Sequence, residues 1–174
     1  MKDENSNCSI HDSCERVVPP WLVLLDNIPT LILFVLGAIL LGKIGWPLAI
    51  AMTLYNIASI VLFWKLICPH CPHFNTRACP CGYGALAPIF FSKQDSIDFR
   101  QKFRRNIAIV FPAWFIPFGA GLYLLYTRYS RDILITFVAF VIVGFILIPA
   151  ISRFVGCKGC ELKEQCPWMT SSAK

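Results

Sequence analysis

The sequence predicts an all-α membrane protein, with four transmembrane helices paired as two antiparallel hairpins and a cysteine-rich cytoplasmic loop and tails. Three observations predict it. Hydrophobic residues make up 56% of the 174-residue chain and charged residues only 15%, too apolar a balance for a soluble domain of this size. Four runs, each long enough to cross a bilayer, carry a single charge among them. All nine cysteines fall outside those runs.

Charges delimit the spans, because a charge at the bilayer centre costs at least about 2.5 kcal/mol and a crossing helix needs about 20 apolar residues. The first run, 20–42, contains only Asp26; the second, 44–64, lies between Lys43 and Lys65. The third, 107–127, is bounded by Arg105 and Arg128, and the fourth, 133–152, by Asp132 and Arg153. The connections within each pair (GKIGW and TRYSRD) are a few residues long, so each pair folds back as a hairpin. The expected organisation is therefore a tail (1–19), a first hairpin (20–67), a loop (68–106), a second hairpin (107–152) and a final tail (153–174).

An even number of spans leaves both tails and the central loop on one side. That side holds thirteen of the sixteen Lys and Arg residues, against Lys43, Arg128 and Arg131 opposite. Positive-inside bias makes it the cytoplasmic side of a plasma (inner) membrane. The first sixteen residues include four acids and lack a basic start and short apolar core, so no cleaved leader is expected. Trp21 and Trp64 fall near the inner interface, and Trp46, Tyr126 and Tyr129 near the outer one. The net charge of +6 follows from this topology, and nucleic acid is not an expected partner. The stretch SKQDSIDFRQKFRRN, from Ser92, places Phe99, Phe103 and Ile107 at helical spacing among basic residues, an amphipathic helix at the headgroups with Ser92 or Ser96 as its cap.

The cysteines carry the chemistry. Cysteine is tolerated as a small buried hydrophobe, so exclusion of all nine from the lipid-embedded half points to thiolates acting together. In a reducing compartment, paired spacing indicates metal ligation rather than disulfides. The central set, CPHCPHFNTRACPCGYG, is C-x2-C followed after seven residues by C-x-C: Cys68, Cys71, Cys79 and Cys81. Four thiolates so placed can enclose zinc or hold an iron–sulfur cluster, with Gly82 and Gly84 supplying tight backbone and Pro69, Pro72 and Pro80 stiffening it. His70 and His73 are spare nitrogen ligands. The tail set, CKGCELKEQC, offers Cys157, Cys160 and Cys166, and Cys14 or Cys8 from the first tail completes it.

Two short stretches resemble known motifs. Over its ten residues, C-x2-C-x5-C resembles part of the auxiliary iron–sulfur motif appended to some radical enzymes, which favours iron–sulfur at that site. Cys68-Pro69-His70-Cys71 is similar to the active-site tetrapeptide of thioredoxin-fold disulfide oxidants, where the motif opens a helix and the dipole lowers the thiol pKa. Here it ends a span, which is the opposite polarity.

Within the membrane, Asp26 sits about six residues into its span, roughly 9 Å deep. An intramembrane acid is a functional candidate, here for catalysis or proton passage; the structural alternative is pairing with Lys65 or Arg105 near the interface. Pro29 is expected to kink that span. Asn56 is expected to bind a neighbouring helix by a hydrogen bond. Pro112, Pro117, Gly119 and Gly121 mark a bent third span packed closely on the fourth.

The expected function is metal binding by these cysteines, as an iron–sulfur electron-transfer subunit of a membrane redox system, with quinone and a protein partner at the cytoplasmic face as counterparts. Two alternatives stay open: a zinc-stabilised membrane scaffold without catalysis, and a quinone-linked thiol–disulfide oxidoreductase using the CPHC pair.

Overall fold

In the computed structural model, residues 18–94 and 99–156 are described. Every regular element among them is helical, and four helical runs are long and apolar enough to cross a membrane: Pro20–Ile44, Trp46–His70, Phe99–Thr127 and Arg131–Phe154.

Helix α1 (Pro20–Ile44) starts on a proline, which gives up no useful donor at the first helical position, and runs unbroken through Pro29. Gly45 alone separates it from α2 (Trp46–Leu66), and the two pack on each other. A 3-10 turn at Cys68–His70 continues α2 past its expected end. The membrane-length run therefore reaches His70 and takes in Cys68, although the sequence placed every cysteine beyond the spans.

The central loop is folded rather than a plain connection. It contains a one-turn helix α3 (Tyr83–Leu86), a 3-10 turn at Ala87–Ile89 and, after residues 95–98, the basic helix α4 (Phe99–Asn106). The Phe99 and Phe103 rings meet one turn apart on α4 at 5.8 Å, tilted to each other by 50°, as their spacing predicts. Ser92 lies in a non-helical stretch, and Ser96 lies outside the described residues.

The third run is broken where prolines dictate. A 3-10 turn at Ile107–Val110 precedes α5 (Pro112–Thr127), because Pro112 has no N–H to continue an α-helical ladder from α4. The Tyr55 hydroxyl of α2 donates to the Ile109 carbonyl at 2.6 Å within this tight segment. Helix α6 (Arg131–Val141) is capped by Ser130, whose hydroxyl accepts the Ile133 amide, with Asp132 in the first turn complementing the dipole. It then widens into a π-helical turn, Ile142–Leu147, before α7 (Ile148–Ile151). In a turn of that width the carbonyl facing Pro149 is that of Gly144. Proline cannot serve it, and the Trp114 indole donates to it from α5 at 3.2 Å.

α1 is the hub of the bundle and packs against α2, α5 and α6. Gly37 makes the α1–α5 crossing close: a Cβ there would stand 2.9 Å from Pro117 Cγ. Gly121 lies hard against the Phe137 ring of α6, as expected, whereas the space around Gly119 is open. Leu33, Leu40, Leu124, Phe137 and Phe140 form the core where α1, α5 and α6 meet. Asn56 is 3% exposed, and its Oδ1 has no hydrogen-bond partner among the described residues. Tyr126 and Tyr129 stand outward at the α5–α6 end, where the aromatic belt was expected.

Candidate functional site

The loop closes over the Pro20 end of α1 and the Leu66 end of α2. Beneath it is a small core of its own, in which Cys68, Phe74 and Ala87 pack with Phe63, Trp64 and Tyr83. The Tyr83 ring meets Trp64 at 5.6 Å and Phe63 at 6.1 Å, both edge-on, a geometry worth about 1 kcal/mol per pair beyond area. Main-chain bonds tie the ends together: the Val18 amide donates to the Arg77 carbonyl at 2.9 Å, the Asn75 amide to the Gly84 carbonyl at 2.9 Å, and the Gln94 amide to the Pro69 carbonyl at 3.0 Å.

Two glycines let the loop fold this tightly. Gly82 has a φ of 74°, the left-handed region that favours glycine, and a Cβ there would stand 2.6 Å from Val23 Cγ1 of α1. At Gly84 a Cβ would overlap the His73 carbonyl oxygen and stand 2.8 Å from Cys79 Cβ.

Around these glycines the thiols differ. Cys79 is held as a thiolate, its pKa lowered to about 6. The Cys81 thiol donates to its sulfur, and the amides of Gly84, Cys81 and Tyr83 converge on it, outweighing the cost of burial. Cys81 is held protonated, its pKa raised by its hydrogen bond to Cys79, by burial and by the Asp26 carboxylate. Tyr83 is likewise raised, first by burial and then by the negative fields of Cys81, Asp26, Cys68 and Cys79.

Asp26 thus meets a thiol. The sequence suggested Lys65 or Arg105 as its partner, but a hydrogen bond joins it to Cys81, brought down onto α1 by the Gly82–Val23 contact. The neighbouring Asn27 locks that placement, its amide donating to the Val23 carbonyl at 2.7 Å and to the Cys81 carbonyl at 3.1 Å.

Cys68, Cys71, Cys79 and Cys81 are not joined in disulfides. Among the described residues, no three His, Cys, Asp or Glu side chains stand at a spacing that would hold one metal ion. The donor chemistry fits a metal, since an amide-cradled thiolate is the ligand form of cysteine. Ligation by all four loop sulfurs would require the C-x2-C and C-x-C turns to close further on each other. His70 is buried at the turn after α2. Cys8, Cys14, Cys157, Cys160 and Cys166, the expected second site, lie outside the described residues.

Sequence reasoning missed Tyr83, Asn27 and the cavity beside them. A space of ≈ 590 Å³ lies between the start of α1 and the loop, lined by Val18, Val23, Arg77, Cys81, Tyr83 and Leu86 among others. The signal for Asn27 was present, a second polar residue beside Asp26 in an apolar run. Comparison with protein-family models, with curated proteins and with solved structures finds no match to this chain.

Proposed function

We propose that this chain is a membrane electron-transfer protein whose loop thiolates, Cys68, Cys71, Cys79 and Cys81, hold an iron–sulfur centre at the cytoplasmic surface of the plasma membrane. The four spans form two antiparallel hairpins. Both tails face the cytoplasm, and Cys157, Cys160 and Cys166 with Cys14 form a second centre. The observation that carries the reading is the convergence of three backbone amides on Cys79, which stabilises a thiolate without a basic side chain. Hydrogen bonds to sulfur are also a means by which proteins set cluster potentials. The segregation of basic residues supports the orientation. A soluble protein at the cytoplasmic face is the electron donor in this reading.

Anaerobic purification of the full chain followed by metal analysis and visible spectroscopy tests it. Bound iron with broad visible absorption is the expected result. A colourless protein with stoichiometric zinc would replace it with the scaffold reading.

A second reading, thiol–disulfide chemistry, is favoured by one observation: the hydrogen-bonded Cys79–Cys81 pair next to Asp26. It moves the reactive pair from CPHC to C-x-C. A metal-free protein in which Cys79 and Cys81 form and release a disulfide under quinone would establish it.

A further inference from the structure

The cavity between α1 and the loop lies where a lipid-soluble molecule can reach it. Pro20 and Val23 of its wall belong to the start of a membrane-length helix, Val18 lies just before it, and Ala85 and Leu86 belong to the short helix laid over it. At ≈ 590 Å³ it has the size of a small-molecule site. Its polar inventory is selective. The Asn27 amide hydrogens are committed to the Val23 and Cys81 carbonyls. The Thr76 hydroxyl donates to the His73 carbonyl at 3.0 Å and accepts the Ala78 amide at 3.3 Å. The remaining lining residues with N–H or O–H side-chain donors are Arg77, which is exposed, and Tyr83, which is half-buried. Cys79 and Cys81 line the same space.

Apolar walls with two such donors suit a flat apolar ring that carries two acceptors and no donor. We propose that this cavity binds the headgroup of a membrane quinone, with Tyr83 and Arg77 donating to its carbonyl oxygens and the isoprenoid tail leaving into the bilayer past Leu86. The choice of a quinone over another apolar ligand rests on the redox reading of the loop thiols. The site itself depends only on the cavity and its donors.

The test uses the full chain in nanodiscs, titrated with short-chain ubiquinone and menaquinone analogues, with a photoreactive azidoquinone to map the contact and metal content measured on every sample. Saturable binding is expected, with cross-links in 18–27 or 76–86. Ala85→Trp, which fills the space, should abolish it, whereas Tyr83→Phe and Arg77→Gln should each weaken it about tenfold, the loss of one hydrogen bond to a carbonyl. Tyr83→Phe keeps the ring that packs on Phe63 and Trp64, so it reads the hydroxyl alone if Ala85→Trp fails to fold. Absence of saturable binding, cross-links elsewhere, Tyr83→Phe binding at native strength, or full displacement by phosphatidylglycerol would each overturn the proposal. Quinone binding by a protein without iron would leave this site standing and remove the iron–sulfur reading; iron without quinone binding would do the reverse.

Discussion

The two cysteine turns of the loop use the same residue types and orient their backbone in opposite ways. In the C-x2-C turn the amides after Cys68 are spent on carbonyls: Cys71 N–H on Cys68 at 3.0 Å, then Phe74 N–H on Cys71 at 3.0 Å. That turn continues the carbonyl end of α2 and packs Cys68 against Phe74 and Ala87. In the C-x-C turn only the Gly82 amide closes on a carbonyl, that of Cys79 at 3.0 Å, while the amides of Cys81, Tyr83 and Gly84 face the Cys79 sulfur. The left-handed Gly82 redirects the chain so that successive N–H groups point inward, the arrangement that makes an anion site from backbone alone. Cysteine spacing therefore does not decide which sulfur carries charge; the glycines beside it do.

The sharpest way to break this contrast is Gly84→Val. The side chain would collide with the His73 carbonyl and with Cys79, and neither backbone nor a turn-locked cysteine can move aside. We expect a loss of about 3 kcal/mol or more in loop stability. Cleavage of 68–94 in limited proteolysis should become rapid and bound metal should fall, with the spans still helical by circular dichroism.

Protonating Cys79 comes next. Its pKa is depressed from 9.0 to about 6, so its contribution to stability is complete above pH 9 and is lost as pH falls through 6. Cys81, raised above 9.0, acts with the opposite sign and only on the alkaline side of that value. In metal-free protein the protection factors of the loop amides, exchange measured relative to the intrinsic rate, should therefore fall as pH drops from 9 to about 6. Cys79→Ser should flatten that dependence, and Cys71→Ser should leave it.

Gly82→Ala probes the redirecting residue itself. Left-handed backbone costs alanine about 1 kcal/mol, and the overlap with Val23 adds to it. A double-mutant cycle with Val23→Ala separates the two, since relieving the overlap should recover the steric part and leave the backbone part. Complete recovery would mean that the left-handed turn contributes nothing at this site.

The bundle was legible because its signals are local. The first run, expected at 20–42, ends two residues later at Ile44, since Lys43 near the end of a span reaches back to the interface. Pro112 was visible as a mark of a bent third span, but the π turn in the fourth was not. It persists because an indole from another helix serves the Gly144 carbonyl, and nothing near Pro149 in sequence announces Trp114. In the loop, cysteine spacing was legible and pairing was not. Asp26 was read either as a functional acid or as the partner of a base, and neither reading named the thiol 55 residues away beside which Gly82, folded against Val23, places it. Such long-range delivery depends on shape, which composition does not encode.

The smallest effect sharpens this last point. Asn27 is the only described polar side chain of α1 that hydrogen-bonds to the loop backbone, at the Cys81 carbonyl. Its other hydrogen returns to its own helix at Val23, where it also occupies a carbonyl otherwise bonded only within the helix. Asn27→Ala should cost about 1 kcal/mol, one net hydrogen bond, and the cost should appear in the loop rather than in the bundle. The test is position-resolved hydrogen exchange: protection should fall at 79–86 and stay unchanged across α5 and α6. If protection fell equally in the spans, the loop and the bundle would unfold as one unit, and the contrast between the two turns would have no independent energetic meaning. If it fell nowhere, the Gly82–Val23 contact alone would hold Cys81 against Asp26, and the C-x-C turn would owe its position to packing rather than to the polar pair at the start of α1.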